Sequence, residues 1–338
     1  MARIHFLNVG EGDCSIIEHD NGNVSMIDIC CGNITEKKPT ILVSGESVKS
    51  ICGNFNQKAY PTNPIEYLKH CEIKSIFRYI QTHPDMDHMD GLNNLSNNFS
   101  ILNFWDTDNT KVQEFGEDGK SGPFYKKDWD CYCRLRKSST CPKALFYFDG
   151  SSNKYYAEDD NGVLKDDYLK ILSPTKDLLR TARETGDWND SSYVILYCVQ
   201  GRKVLFCGDA GMGTINHLLA EHRADVSNLD VLIAPHHGRD SDKDFSFLDV
   251  MRPKLTLVGN AKSVHLAYDE WNDRNLEHIQ NNQGGDIMID IHDGEMHVSC
   301  SNRTFAEAYR REVFKKEGVV KDSRNAGFWC LFYYPASR

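Results

Sequence analysis

Along the first thirty residues the apolar positions fall into three short runs, ARIHFLNV, DCSIIEH and NVSMIDI. β-Branched and other apolar residues dominate each run, and Gly10, Gly12 and the triplet Asn21-Gly22-Asn23 separate them. That alternation of apolar run and turn predicts a β-meander. Residues 32–63 are loop-like. NPIEYLKHCEI reads as a helix with Pro64 near its start, where a missing N–H costs nothing. SIFRYIQT reads as a buried strand that runs straight into HPDMDH, and NLSNNFSILNFWDT as a short helix followed by a strand.

Residues 106–166 differ in character. They are charged, aromatic and turn-rich, with GEDGKSG and DGSSN as punctuation. No long apolar period runs through them, so they read as an insertion on the domain. Regular patterning resumes at DYLKILSP. SYVILYCV and KVLFCGD flank the turn Gln200-Gly201-Arg202 as a hairpin. TINHLLAEH predicts a helix, and NLDVLIAP a strand that ends in His236-His237-Gly238. FSFLDVMRP reads as a helix, LTLVGN as a strand and DEWNDRNLEHIQNN as one helix. DIMIDIHDGEMHVSC is a hairpin with Asp-Gly at its turn, and a C-terminal extension over 302–338 adds a helix, TFAEAYRREVFKKE, and a strand, FWCLFYY. Residues 1–338 thus read as a single domain. A run of strands followed by alternation fits both a mixed sandwich and an α/β sheet.

Composition narrows the class. Of 338 residues, 40% are hydrophobic and 26% charged, enough apolar material for a sizeable core in a water-soluble chain. No apolar run approaches the ~20 residues that span a bilayer, and the N-terminus lacks the basic-then-apolar pattern of a secretory leader. The expectation is a cytoplasmic protein with no membrane partner. Twelve scattered cysteines with no C-x-x-C pair are read as reduced thiols. Cys131, Cys133 and Cys141 cluster loosely but lack a second pair to complete a zinc site. A net charge of −10 argues against a nonspecific nucleic-acid coat. It leaves room for an enzyme whose metal neutralises phosphate locally.

QTHPDMDHMDG, residues 81–91, holds two histidines and three aspartates. A solvated turn is one reading and a metal site the other. The wider pattern favours the metal. His83, Asp85, Asp87 and His88 follow one apolar strand, Asp209 a second, His236 and His237 a third, and His265 lies a few residues beyond a fourth. Residues at such ends can converge on one edge of a sheet. Carboxylates held that close cannot all stay ionised without a cation. Two metals ~3.5–4 Å apart suit hydrolysis by an activated water.

Six segments carry a resemblance to the metallo-β-lactamase fold superfamily, closest to the metallo-hydrolase domain of the competence protein ComEC and its stand-alone relatives. They are FLNVGEGDC, MIDIC, THPDMDHMDG, NDSSYVILY, VLFCGDAG and APHHG. The resemblance covers about 1–100 and 167–270. It implies an α+β, four-layer αββα sandwich with a metal site at the edge between two sheets. It implies His83, Asp85, Asp87 and His88 as the first ligand cluster and Asp209 as a bridge between two divalent ions. His236 and His265 become candidates for the remaining ligand or for a proton donor, and His237 for a residue that orients a ligand. Asp85 stands where the superfamily usually has His, and no histidine lies between His88 and His217. In place of that third-motif histidine, Asn189 or Asp190 either lines the first metal site or caps the strand that follows. More oxygen and less nitrogen makes the site harder, so manganese and magnesium compete with zinc. Asp13 and Asp28 are read as structural, tying down backbone N–H groups.

The function expected is a metal-dependent hydrolase, a phosphodiesterase or nuclease with nucleic acid as substrate. Asp87, His236, His237 and His265 are the residues placed nearest its chemistry, and a co-encoded protein partner is a further expectation. A hydrolase of a small ester, lactam or cyclic nucleotide is the alternative. A non-catalytic sensor of the same fold is the third.

Overall fold

The computed structural model describes residues 1–36, 50–241 and 244–336. Part of the loop expected over 32–63, and the last residues of the C-terminal extension, lie outside that range. The strands, in chain order, are β1 Ala2–Phe6, β2 Ser15–Glu18, β3 Val24–Ile27, β4 Ser75–Ile80, β5 Ser100–Asp106, β6 Lys120–Ser121, β7 Phe124–Tyr125, β8 Lys143–Phe146, β9 Asp167–Ser173, β10 Val194–Val199, β11 Arg202–Phe206, β12 Val231–Ile233, β13 Leu255–Val258, β14 His278–Gln280, β15 Ile287–His292, β16 Glu295–Cys300 and β17 Trp329–Tyr334.

Nine of them form one sheet, in the order β17-β16-β15-β1-β2-β3-β4-β5-β8, and six form a second, β14-β13-β12-β11-β10-β9. The inner faces meet in one apolar layer. Ile4, Ile17, Ile27 and Ile80 from the first sheet pack with Ile171, Ile195, Val204 and Ile233 from the second. The outer face of the first sheet, with Ile16, Met26 and Tyr79, is covered by helices Pro64–His70, Leu92–Asn98 and Lys126–Leu135 through Leu68, Leu95 and Tyr132. The outer face of the second, with Leu196, Leu205 and Leu232, is covered by helices Met212–Glu221 and Phe247–Met251 through Ile215, Leu218 and Leu248. Helix, sheet, sheet, helix is the αββα order that the resemblance implies.

The hairpin turns follow their sequence. Gln200 and Gly201 both have positive φ, as do Asp293 and Gly294, the backbone that matches strand twist in two-residue loops. One expected helix is not formed. DEWNDRNLEHIQNN breaks into a helix at Asp269–Asp273, strand β14 and a turn of helix at Asn281–Gly284. Asn275 adopts φ 53°, a left-handed conformation that ends a helix and that asparagine tolerates. β14 then adds in parallel to β13. Residues 106–166 hold more regular structure than their sequence suggests. Helix Lys126–Leu135 buries Trp129, Tyr132 and Leu135, and β8 extends the first sheet in parallel with β5.

Parallel pairing runs through β3-β4-β5 and through β11-β12-β13. The C-terminal ends of the strands in each set therefore open on the same edge, and the polar segments emerge from these ends.

Candidate metal centre

The loop after β4 is clamped before it reaches its histidines. Buried Gln81 donates through Nε2 to the carbonyls of His83 (2.9 Å) and His88 (3.0 Å). Thr82 donates through its backbone N–H to Oδ1 of Asp28 (2.8 Å), and its hydroxyl to Oδ2 (2.5 Å). The HPDMDH loop is thereby closed at both ends by Gln81 and tied at its start to Asp28, just past β3. The loops after β11 and β12 are pinned to each other, because the His236 N–H donates to the Gly208 carbonyl (2.9 Å). His236 and His237 sit side by side at φ 54° and 57°. Two left-handed non-glycine residues in sequence are uncommon, and such strain collects at functional sites.

Asp209 occupies the centre. Its Oδ1 lies 3.2 Å from Nε2 of His88 and 3.4 Å from Nε2 of His237. Its Oδ2 lies 3.6 Å from Nε2 of His236 and 3.9 Å from Nε2 of His83. These separations are within ion-pair reach, yet the atoms are not aligned to share protons well. Among the described residues, Nε2 of His83, His88 and His237 and Oδ1 of Asp209 are buried and make no hydrogen bond. Each such group costs about 1–3 kcal/mol when left unsatisfied. Three overlapping sets of donor atoms lie within 4.8 Å of one another: His83, His88 and Asp209; Asp87, His88 and His237; Asp13, Asp209 and His237. Two of the sets hold two imidazoles each and share His88, Asp209 joins two of the three, and such a donor group fits one or two divalent cations.

The electrostatics point the same way. Burial works against a charged His88, but Asp209 and Asp28 outweigh it and hold its pKa well above the ordinary value. His237 is opposed by burial and pushed up to about 9 by Asp209 and Asp13. Burial, then the charge of His88, lowers His83 to about 4. For Asp209, burial raises and His237, His88 and His83 lower, and the net result is far below the carboxylate range. Burial lifts Asp87. Without a metal these shifts favour protons on His88 and His237 that balance the carboxylates, and a divalent ion would take their place.

The remaining sequence-derived candidates are placed as follows. Asp85 bonds Lys111 Nζ at 2.6 Å. Burial opposes its charge, and His83 and Lys111 together lower its pKa. Among the described residues, no metal-sized set includes Asp85. Asp190 accepts from the N–H groups of Gly213 (3.2 Å) and Thr214 (3.0 Å). It therefore holds the start of helix Met212–Glu221 and does not join the central group. Asn189 opens the 3₁₀ turn Asn189–Ser191 beside it. His265 is exposed in the 3₁₀ turn Ser263–His265, and no described metal-sized set includes it. Among the described residues, none of the metal-sized sets includes Cys133 or Cys141, and Cys131 lies beside Ser96.

Two aspartates read as structural are more than that. Asp28 Oδ2 is 2.7 Å from His88 Nδ1, and Asp13 Oδ1 is 3.1 Å from His237 Nδ1. Each carboxylate fixes an imidazole so that Nε2 faces Asp209. His237, expected to orient a ligand, is itself held this way with its Nε2 in the cluster. Asp28 follows the apolar run of β3, so the strand-end signal that singled out Asp209 applies to it equally. Gln81, Thr82 and Lys111 carried no comparable signal.

No family model and no curated protein matches the chain. Solved structures resemble it at low identity. CmlA, a diiron beta-hydroxylase from Streptomyces venezuelae, is 12% identical at TM-score 0.43 over 82% of this chain, which spans 52% of that one. A diphosphatase from the PhnP family is 11% identical at TM-score 0.41, covering 82% of this chain and 95% of its own. The BLEG-1 B3 metallo-β-lactamase is 11% identical at TM-score 0.34, covering 65% and 86%. The functional argument therefore rests on this chain's own residues.

Proposed function

We propose that the protein is a metal-dependent phosphodiesterase that cleaves nucleic acid, with two divalent ions at the rim, zinc or manganese, magnesium being the third candidate. One observation carries the reading: buried, unpaired Nε2 atoms of three histidines converge on one carboxylate, Asp209. His83, Asp87, His88, Asp209 and His237 would hold the ions, with Asp85 at the edge of the group. Ions bound there lower the pKa of a water and neutralise phosphoryl oxygens. His236 is partly exposed, with its Nε2 3.6 Å from Asp209 and its Nδ1 3.2 Å from the Ser241 hydroxyl. We assign it the role of handing a proton to a leaving oxygen. Lys111 supports a phosphate substrate over a neutral ester. Its ammonium pairs with Asp85 at 2.6 Å, and its side chain is 18% exposed, so an anionic substrate can reach it.

The test is cleavage of labelled single- and double-stranded DNA and RNA by the metal-stripped chain with Mn²⁺, Zn²⁺ or Mg²⁺ added back. Asp209→Asn and His88→Ala should each abolish cleavage while the circular dichroism spectrum stays unchanged. Faster turnover of a neutral ester or lactam than of every phosphodiester would overturn the substrate class. Bound metal without turnover of either would overturn catalysis.

A further inference from the structure

A second cluster of ligating side chains lies apart from this centre. Asp149 follows β8, and its N–H is tied to the Pro174 carbonyl (2.9 Å). His217 lies on helix Met212–Glu221 and His222 closes that helix. Asp149 Oδ2 is 3.0 Å from His217 Nε2, and Asp149 Oδ1 is 2.8 Å from His222 Nε2. The two imidazole rings meet edge-on, with centroids 5.5 Å apart. All three side chains are largely but not fully covered, at 21%, 17% and 13% exposure.

The surroundings of His222 call for a positive charge between its ring and two carboxylates. His222 faces a carboxylate on both sides, Asp149 at Nε2 and Asp225 at Nδ1, the latter at 3.3 Å. A neutral imidazole carries one proton, so either tautomer leaves a lone pair against a carboxylate oxygen unless a second proton or a metal cation lies between them. A metal ion at Nε2, shared with Asp149 and His217, meets that requirement as a second proton would, and it also uses the neighbouring imidazole. Nδ1–H then donates to Asp225, the carboxylate–histidine–metal arrangement that fixes the tautomer of a ligand. Asp225 is already tied to Lys170 Nζ at 2.8 Å. Tetrahedral zinc at about 2.0–2.1 Å from its ligands spaces them about 3.3 Å apart. The two imidazole–carboxylate separations, 3.0 and 2.8 Å to the two oxygens of Asp149, are a few tenths of an ångström short of that, and one ligating atom from each of the three residues lies within 4.8 Å of the others.

We propose that Asp149, His217 and His222 form a second, separate site for a zinc-class transition metal, with a solvent-facing fourth position. This inference does not rest on the proposed activity. Two imidazoles and one carboxylate suit zinc over calcium or magnesium. Because Asp149 belongs to the segment 106–166 and both histidines to the helix that leaves Asp209, the ion would staple that segment to the helix. That helix starts three residues after the central carboxylate, Asp209, and His222 closes it, about 15 Å along the axis from residue 212 to 222 at 1.5 Å per residue.

Elemental analysis tests this on the full chain, stripped with chelator, reloaded with Zn²⁺ and desalted. His217→Ala/His222→Ala should carry one zinc equivalent fewer than the parent, and equal stoichiometry overturns the site. If that variant does not fold, Asp149→Asn takes its place under the same criterion. A second arm removes the other centre. A His88→Ala/Asp209→Asn chain titrated with Co²⁺ should keep the visible bands of a low-coordinate imidazole site, and adding His222→Gln should abolish them. Absence of those bands before His222 is changed, or their persistence afterwards, overturns the proposal.

Discussion

Asp28 Oδ2 lies 2.7 Å from His88 Nδ1, and that contact aims the opposite nitrogen of His88 at Asp209. Asp28 is fully buried, and it also holds the N–H and the hydroxyl of Thr82. One carboxylate therefore sets both the tautomer of an imidazole and the path of the loop that carries it. Asp28→Asn keeps the shape but loses a charge-assisted acceptor. Loss of such a supporting carboxylate typically costs 10–100-fold in metal affinity or activity. A chelator-competition titration should show a drop of about that size in the variant, with His88 still present. Unchanged affinity would mean that Asp28 serves the backbone alone.

Lys111 tests the substrate class. Its Nζ is 2.6 Å from Asp85 Oδ1 at the rim of the centre. If it meets a phosphate, Lys111→Ala should raise KM for a nucleic-acid substrate several-fold with little change in kcat. It should also flatten the dependence of log kcat/KM on log salt by about one unit of slope. An unchanged slope would leave Lys111 as a partner of Asp85 and nothing more.

The fold was largely legible because its signals are local. Apolar runs with Asn-Gly and Asp-Gly turns mark the strands, and polar residues past their ends mark the rim. What the sequence hid is the pairing between distant parts. Asp28 follows the same strand-end rule as Asp209, and Asp13 stands just before β2, but their partners, His88 and His237, lie 60 and 224 positions away. Asp190 reads equally as a ligand or a cap until its oxygens are seen on the N–H groups of Gly213 and Thr214. The break in DEWNDRNLEHIQNN turns on one left-handed residue, Asn275. β14 forms because β13 offers a free edge in three dimensions.

The metal-stripped protein should show a characteristic pH profile. His237 is pushed up to about 9, above the ordinary value near 6.5. A raised histidine stabilises the fold fully below about 6.5, and the contribution is lost as pH rises through about 9. His88 is raised as well and acts in the same direction. His83 is lowered to about 4. Its contribution is present above about 6.5 and is lost as pH falls through about 4. The two effects occupy separate windows. In excess chelator, Tm should therefore fall between pH 6.5 and 9, and it should fall again below pH 6.5. Saturating metal should reverse the upper trend, because it replaces the protons on His88 and His237 and binds more tightly as pH rises. A flat Tm from pH 6.5 to 9 in chelator would show that protons do not balance Asp209.

Gly12 offers the sharpest separation of activity from stability. A Cβ built there would stand 2.0 Å from the carbonyl oxygen of Asp87 and 2.9 Å from Cβ of Cys30. Both neighbours belong to buried backbone turns, so Gly12→Ala must move the loop that carries Asp87 and His88. The rest of the sandwich does not depend on that contact, because the inter-sheet core lies among residues such as Ile4, Ile17 and Ile195. Tm should thus drop only a few degrees. Misplacing reacting groups by about 1 Å can cost about 10²-fold in rate, and kcat/KM should fall on that scale. Gly22, which has nothing within 4 Å of its Cβ position but a φ of 82°, supplies the control. Gly22→Ala should lower Tm through backbone strain and leave kcat/KM alone. If Gly12→Ala kept parental turnover, the loop could shift freely, and the case that Asp87 and His88 act from a fixed geometry would fail.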